Sequence, residues 1–418
     1  MKKIVIRGGK KINGEITVHS AKNSILPILA AVILCSGEVT LKECPLLSDV
    51  KIMLELLSAL GCDCSVHEKY IKINAKSISS HKVDSQLMHK LRSSIFVLGP
   101  LLARFGAAEL GYPGGCDIGL RPIDLHLKVL KDLGAHIKEE NGNIICTAKK
   151  LISGEVYLDY PSVGATENAM MAASLTEGAT IIVNAAKEPE IVDLQNFINL
   201  MGGRISGAGT GKIIVHGVKA LGDCSYTPMP DRIVTGTFMM LCAACGGELK
   251  IKNAIAEHNV ALIGKLKDSG INVLKTDDGI KIIAKERPIS AHIVETMPYP
   301  GFPTDLQSPM MSLQAVSRGT SVIIENVFEN RLRLAGELKK MGADITVKDR
   351  MAFIRGVEHL HGAKVFSHDL RSGAALLIAA AAAEGITEIY DEGFIDRGYY
   401  KFEDDIKALG GDILVFKE

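Results

Sequence analysis

The 418-residue chain contains no tryptophan, and aromatic residues make up only 5% of it. So small a supply argues against a surface built to stack bases or sugar rings. An excess of charge is missing as well, because 48 lysines and arginines balance 48 aspartates and glutamates. A nucleic-acid binder usually carries a basic excess, so no nucleic-acid partner is expected. Long apolar runs are absent too. The longest, ALLIAAAAAEG over 375–385, falls short of the ~20 residues that span a bilayer, which predicts no membrane insertion. The opening MKKIVIRGGKKING has too few apolar residues before Arg7 for a signal-peptide core and reads as a strand ending at Gly8-Gly9. The nine cysteines are odd in number and follow no framework spacing, so they read as reduced thiols of a cytoplasmic protein. Cys242 and Cys245 form a C-x-x-C inside the apolar FMMLCAACGGEL, where core packing outweighs a redox or metal role. No His/Cys cluster has zinc-like spacing, so no metal is expected. SGAGTGK at 206–212 fails the spacing of a phosphate loop and reads as a hairpin turn between two strands.

What the chain does have is apolar mass and repetition. Apolar residues make up 47%, enough for two domains with full-sized cores. One phrase recurs six times, a leucine-containing helix end, a glycine, then a short strand, as in VLKDLGAHIKE and ELKKMGADITV. Its glycines, Gly61, Gly134, Gly202, Gly270, Gly342 and Gly410, are about 70 residues apart. A helix that ends at positive φ prefers glycine, which has no Cβ to clash. A second phrase interleaves with the first and also has six copies: a helix rich in small residues, a glycine, then a β-branched strand, as in TENAMMAASLTEGATIIV. These helices are apolar almost all round and should be buried. Each unit reads as helix, strand, helix, strand pair, with hairpin turns such as KEENGNII at 138–145 and KTDDGIKII at 275–283. Six such α/β units divide into two lobes of three, helices inside and sheets outside. The prolines of SYTPMPDR at 225–232 mark one boundary, and a matching crossing is expected near residue 20. The expected lobes are residues 1–20 with 230–418, and residues 21–229. The first strand joins the C-terminal lobe because the last, DILVFK, needs a partner. Ligands would bind in the cleft between lobes.

Candidate chemistry gathers at a few places. Cys116 sits in YPGGCDIGLRP, where the density of proline and glycine marks a hinged loop rather than a core. Lys22, Arg92, Arg232 and Arg371 recur at or just before the starts of the small-residue helices. Alone, each reads as a surface charge. Repeated, they would strengthen the attraction of helix N-termini for anions. Arg121 and Arg397 lie in the turn-like GLRP and DRGYY. Several cations converging on one site would suit a substrate with a phosphate and a carboxylate. Asp305, in YPGFPTDLQSPMM, has two readings, as a helix cap alongside Thr304 or as a carboxylate aimed at substrate as general base.

The stretches KNSILPILAA, LRSSIF, PGGCDIGLRPIDLHL, SVGATENAMMAA, AAKEPEIVDL, PDRIVTGTF, FPTDLQ, ENR and IDRGY occur in that order along almost the whole chain. Together they resemble the UDP-N-acetylglucosamine 1-carboxyvinyltransferase (enolpyruvyl-UDP-GlcNAc synthase) family. EPSP synthase shares the six-unit architecture but not PGGC or SVGATEN. The resemblance implies a two-lobed inside-out α/β barrel of six repeated units. It implies transfer of the enolpyruvyl group of phosphoenolpyruvate to the 3-hydroxyl of UDP-N-acetylglucosamine with release of phosphate, the first committed step of bacterial peptidoglycan synthesis. It also implies no cofactor and no metal. The two substrates are the implied partners. The sequence shows no oligomer interface, and a monomer or weak homo-oligomer is expected. EPSP-type transfer to shikimate 3-phosphate, or a catalytically silent UDP-sugar-binding regulator, are the alternatives.

By the same resemblance, Cys116 is the lid thiol that delivers a proton to the methylene carbon of phosphoenolpyruvate and the target of the epoxide fosfomycin. Lys22 and Asn23 contact phosphoenolpyruvate, and Arg92 lies near the sugar nucleotide. Arg121, Pro122, Ile123, Asp124 and Leu125 grip uracil and diphosphate, with Arg121 also favouring thiolate character in Cys116. Ser162, Val163 and Gly164 form the diphosphate-binding turn. Asp305 takes the proton of the 3-hydroxyl, Val327 flanks the sugar, and Arg371 and Arg397 bind a carboxylate. Two positions depart from the family's pattern. Asp117 replaces the usual alanine after the cysteine and should raise the thiol pKa by like-charge repulsion. ENRLRL lacks the familiar aromatic after ENR.

Overall fold

The computed structural model describes residues 1–115, 118–119 and 122–417. Cys116, Asp117, Leu120, Arg121 and Glu418 lie outside the described residues. The chain forms two compact units. One comprises residues 1–19 and 230–417 together with Ile118 and Gly119, and the other comprises 20–115 and 122–229.

Among the described residues there are six four-stranded sheets, three in each unit. A complete repeat runs from Glu155–Tyr157 through the helix Val163–Ala173, the strand Ala179–Val183, the helix Pro189–Leu200 and the strands Arg204–Ser206 and Lys212–His216. Ala179–Val183 is central, with Glu155–Tyr157 parallel on one side and Lys212–His216 antiparallel on the other. Parallel neighbours need a crossover connection, and the small-residue helix supplies it. The sequence pattern showed only three strands per unit. The edge strand it missed is three residues long here, too short to carry a period-2 signal.

The six repeat glycines all have positive φ, from 79° at Gly270 to 105° at Gly61. SGAGTGK is the turn between Arg204–Ser206 and Lys212–His216, which pair antiparallel. The first strand, Lys2–Arg7, lies antiparallel between Ile386–Asp391 and Asp412–Lys417, with Ile4 opposite both Ile389 and Val415. The N-terminal strand thus completes the sixth sheet. The passages near residues 20 and 230 are also strand exchanges. Ile12–Thr17 pairs parallel with Gly247–Lys252, although it leads into the helix Lys22–Ala31. Cys224–Tyr226 pairs parallel with Glu38–Lys42, although it leads into Arg232–Cys245.

In the first unit the helices Arg232–Cys245, Gln307–Val316 and Leu370–Ala382 pack on one another, and every residue of Gln307–Val316 is buried. Their small residues allow close approach, and Ser312 Oγ donates to the Ala375 carbonyl at 2.7 Å. In the second unit Leu98–Phe105 packs on Val163–Ala173, and Lys22–Ala31 packs on Ser48–Ala59 and Pro189–Leu200. The sheets form the outside: Ile413 of the last strand is 4% exposed and its neighbour Leu414 is 55% exposed. Among the described residues no helix is long and apolar enough to cross a membrane.

Candidate active site

Pro303 precedes a single 3-10 turn, Thr304–Leu306, that feeds the helix Gln307–Val316. Neither element has a side-chain cap, so Asp305 is not a capping residue. Its carboxylate instead meets two guanidiniums. Arg331 Nη2 reaches Oδ1 at 2.7 Å, and Arg371 Nη2 reaches Oδ2 at 2.8 Å. Both arginine side chains are 4% exposed, and Asp305 is 22% exposed. Arg331 also donates to the Thr304 carbonyl, so it holds both backbone and side chain of the Asp305 segment. Burial works against the charge on Arg371. Asp305, Tyr399 and Asp231 more than offset it and leave its pKa raised. The guanidinium lies 5.5 Å from the centroid of the Tyr399 ring, whose hydroxyl is 2.9 Å from Thr237 Oγ1.

Two of the helix starts singled out in the sequence differ from the expectation. Asp231 Oδ1 accepts from Ile233 N and Val234 N at 2.8 and 3.0 Å, and Asp369 caps the helix of Arg371 in a capping box with Ser372. Acidic side chains therefore occupy the N–H groups beside Arg232 and Arg371. Any anion attracted there answers to the guanidinium rather than to the helix end. Arg232 is buried, 5.6 Å from the Tyr299 ring centroid. Arg397 ends the 3-10 turn Ile395–Arg397 and is half-buried. Asp391 shapes that turn by accepting from Gly393 N and Phe394 N, and burial pushes its carboxyl up. Val327 is half-buried, and its N–H donates to Glu325 Oε1 at 2.8 Å.

In the second unit Lys22 and Asn23 open the helix Lys22–Ala31, whose start has no side-chain cap. Lys22 Nζ lies 3.5 Å from the buried Asp49 Oδ2. On the next residues of the helix, Ser24 Oγ donates to Asp193, which also accepts from Tyr226 and from Met229 N. Burial raises the pKa of Asp193 despite these donors. Arg92 begins the 3-10 turn Arg92–Val97, and burial lowers its pKa. Gly114 lies where a Cβ would come within 1.8 Å of the His89 carbonyl oxygen, and its N–H donates to Met88 O at 3.1 Å. The Pro-Gly-Gly before Cys116 is thus an anchored approach to the loop. Pro122 and Asp124 are exposed, Leu125 is half-buried, and Ile123 is buried as the N-cap of Asp124–Asp132.

Ser162 caps the helix Val163–Ala173, its Oγ accepting from Ala165 N at 3.4 Å. Against Gly164 lies His126, itself fixed by Asn168. Asn168 Oδ1 accepts from Gly99 N at 2.8 Å, and its Nδ2 donates to Ile95 O at 3.1 Å and meets His126 Nδ1 at 2.7 Å. An amide nitrogen only donates, so Nδ1 accepts and the ring proton sits on Nε2. Arg331, Asp193, His126 and Asn168 were not singled out from the sequence. All four stood inside quoted stretches, Arg331 in ENR, Asp193 in AAKEPEIVDL, His126 in PGGCDIGLRPIDLHL and Asn168 in SVGATENAMMAA, but none was given a role. Glu167 was missed as well. It is 1% exposed, and burial, then Glu190 and Glu188, push its carboxyl well up.

A family model described as EPSP synthase (3-phosphoshikimate 1-carboxyvinyltransferase) matches residues 6–406. UDP-N-acetylglucosamine 1-carboxyvinyltransferase 2 of Caldanaerobacter subterraneus is 50% identical over 414 residues, covering 99% of both chains. The enzyme of that name from Carboxydothermus hydrogenoformans is 48% identical over 417 residues, again covering 99% of both. Among solved structures, the enolpyruvyl transferase NikO from Streptomyces tendae superposes with a TM-score of 0.88 at 23% identity, covering 100% of this chain and 99% of that one. An EPSP synthase from Acinetobacter baumannii gives 0.78 at 18% identity, with complete coverage of both. These two likenesses establish the fold. The 50% and 48% identity over nearly the full length of both chains makes this chain a member of the UDP-N-acetylglucosamine 1-carboxyvinyltransferase family.

Proposed function

We propose that the chain transfers the enolpyruvyl group of phosphoenolpyruvate to the 3-hydroxyl of UDP-N-acetylglucosamine, the first committed step of bacterial peptidoglycan synthesis. In the addition step Asp305 accepts the hydroxyl proton as the sugar oxygen bonds to C2 of phosphoenolpyruvate. Cys116 gives its proton to the methylene carbon, which becomes a methyl group. In the elimination step the methyl carbon returns a proton to the Cys116 thiolate and the C2–phosphate oxygen bond breaks. This restores the double bond and releases phosphate.

Lys22, Asn23, Arg371 and Arg397 serve the phosphate and carboxylate of phosphoenolpyruvate in this reading. Arg92, Arg121, Pro122, Ile123, Asp124, Leu125, Ser162, Val163 and Gly164 serve the nucleotide, and Val327 the sugar. The observation that carries it is Asp305, held between two buried guanidiniums rather than used as a helix cap. A carboxylate oxygen accepts more than one bond, so each can bind an arginine and still approach a hydroxyl. Division of the chain into an N-terminal lobe, 21–229, and a C-terminal lobe, 1–20 with 230–418, belongs to the same reading. So do action as a monomer or weak homo-oligomer and a cytoplasmic location. The eight described cysteines are all unpaired, as a reducing compartment requires.

The test is phosphate release from phosphoenolpyruvate with UDP-N-acetylglucosamine as acceptor. The family model matched is that of EPSP synthase, so shikimate 3-phosphate is the control acceptor. Turnover with shikimate 3-phosphate alone would favour the EPSP-type reaction. Binding of the UDP-sugar without turnover would favour a silent regulator.

A further inference from the structure

Glu325 follows the strand Thr320–Ile324, where a carboxylate reads as an ordinary surface charge. The structure buries it to 1% exposure. Four donors converge on it. Thr296 Oγ1, Val327 N and Phe328 N reach Oε1 at 3.0, 2.8 and 3.1 Å, and Thr304 Oγ1 reaches Oε2 at 2.9 Å. Three of the donors share Oε1 and Thr304 alone binds Oε2, so a glutamine that kept its oxygen toward the three would lose the negative charge and face Thr304 with an amide N–H, forcing that hydroxyl from donor to acceptor.

These donors come from three segments. Thr304 precedes Asp305, Val327 and Phe328 form the turn beside the sugar position, and Thr296 Oγ1 also accepts from Asn326 N at 2.8 Å. The same turn continues to Asn330 and Arg331. Arg331 holds Asp305, and Asn330 N donates to the carbonyl of Ile118 at 3.1 Å. Ile118 stands two residues after Cys116 in the sequence. One turn therefore anchors the Asp305 segment and Val327, and reaches the stretch that contains Cys116.

We infer that Glu325 is a positioning residue for the transfer reaction, a buried clamp that sets the Asp305 segment against the 325–331 turn. This inference rests on the reaction proposed above. Glu325 touches no substrate. It acts through the distance between Asp305 and the sugar hydroxyl, which general-base catalysis requires to be within hydrogen-bond reach.

The experiment compares Glu325→Gln, Thr304→Val and the double variant with the wild-type chain in the phosphate-release assay, below each variant's melting temperature. Each single change should lower kcat about tenfold, the effect of one lost hydrogen bond to a charged group, with a smaller change in KM. The double variant should lose less than the product of the two, because both changes open the same clamp. If Glu325→Gln does not fold, Thr304→Val alone decides, because it removes the Oε2 contact and leaves the other three donors. A lowered melting temperature with unchanged kcat would make Glu325 a structural counterpart only and overturn the inference. Multiplicative losses in the double variant would overturn it as well. No turnover by the wild-type chain would overturn the reaction and this inference with it. Normal wild-type turnover with unaffected variants would overturn the inference alone.

Discussion

Replacing Asp305 with asparagine separates chemistry from packing. The change keeps the side chain's size but turns one oxygen into an N–H donor facing a guanidinium. Arg331 and Arg371 are each 4% exposed, so little water reaches the guanidinium left facing the amide. Removing one partner of a buried ion pair costs about 3–5 kcal/mol. Asp305 is 22% exposed, and Arg371 keeps the favourable influence of Asp231 and Tyr399, so the cost falls below that range, to about 2–3 kcal/mol. For a unit of this size that lowers the melting temperature by about 5–10 °C. An amide cannot accept the hydroxyl proton, so kcat should also fall about 10²-fold or more. Arg331→Met is the control. It breaks half of the same arrangement, with a comparable loss of stability, but leaves the carboxylate, and kcat should fall no more than about tenfold. Thermal melts give the first quantity and phosphate release the second. UDP-N-acetylglucosamine binding by calorimetry shows whether the site survives. Turnover of Asp305→Asn within a few-fold of wild type, in protein that still binds the sugar nucleotide, would reduce Asp305 to a structural counter-ion.

At Gly164 a Cβ would come within 2.8 Å of His126 Cε1 and 3.0 Å of Phe96 Cε1. Gly164→Ala should displace the ring from Asn168 and raise KM for UDP-N-acetylglucosamine about tenfold with little change in kcat; an unchanged KM would show that the ring yields without consequence. Asp405 is half-buried, and burial, then Asp404, push its pKa up to about 6 from the ordinary 3.8. The folded state therefore binds the proton more tightly than the unfolded chain, and stability is lost as pH rises from about 4 to 6. Asp405→Asn should remove that slope and add about 1 kcal/mol at pH 7, after allowance for solvent screening; denaturant melts against pH will show it, and parallel wild-type and variant profiles would refute it. Fosfomycin should inactivate the chain faster with UDP-N-acetylglucosamine bound, Cys116→Asp should resist it and still turn over, and Cys116→Ala should lose activity. Asp117→Ala should shift the inactivation profile to lower pH by well under one unit, and superimposable profiles would mean that the Asp117 charge does not act on the thiol.

The repeat was legible because its cause is local. A helix that stops at positive φ selects glycine wherever it occurs, so six glycines in register gave the six helix ends. The N-terminal strand was legible for a different reason, since a strand at the far end of the chain lacked a neighbour. The three-residue edge strands were not legible, because EVY or CSY is shorter than any window in which alternation can be counted. Nor were the buried polar residues. What makes Glu325 a hub rather than a surface charge is Thr296 and Thr304, 29 and 21 residues away in sequence, and Asn168 depends on Gly99 and His126, 69 and 42 residues away. Burial of a charged side chain is a property of its partners, and the two threonines lie outside any stretch around Glu325.

The helix starts differ from one another in how their first N–H groups are capped. Lysine or arginine near the start of a small-residue helix suggested an anion site built from N–H groups and a cation together. At Arg232 and Arg371 an aspartate already occupies those N–H groups, and the guanidiniums turn to Tyr299 and to Asp305 with Tyr399. At Lys22 the N-cap residue is Ala21, which offers no side-chain cap. The distinguishing signal was present one or two residues upstream: Asp231 before Arg232 and Asp369 before Arg371, against Ala21 before Lys22. Starts that pair an acidic N-cap with an arginine hold the arginine as a placed donor, suited to a carboxylate. The start that lacks the cap keeps its dipole for a phosphate. On this reasoning the Lys22 helix is the candidate phosphate position of its own unit. Ala21→Asp, which would cap that helix, should therefore weaken binding of inorganic phosphate and phosphoenolpyruvate together, by about two- to fivefold in Kd. Calorimetric titration with each ligand measures this, and loss of phosphoenolpyruvate affinity with phosphate binding unchanged would refute that assignment.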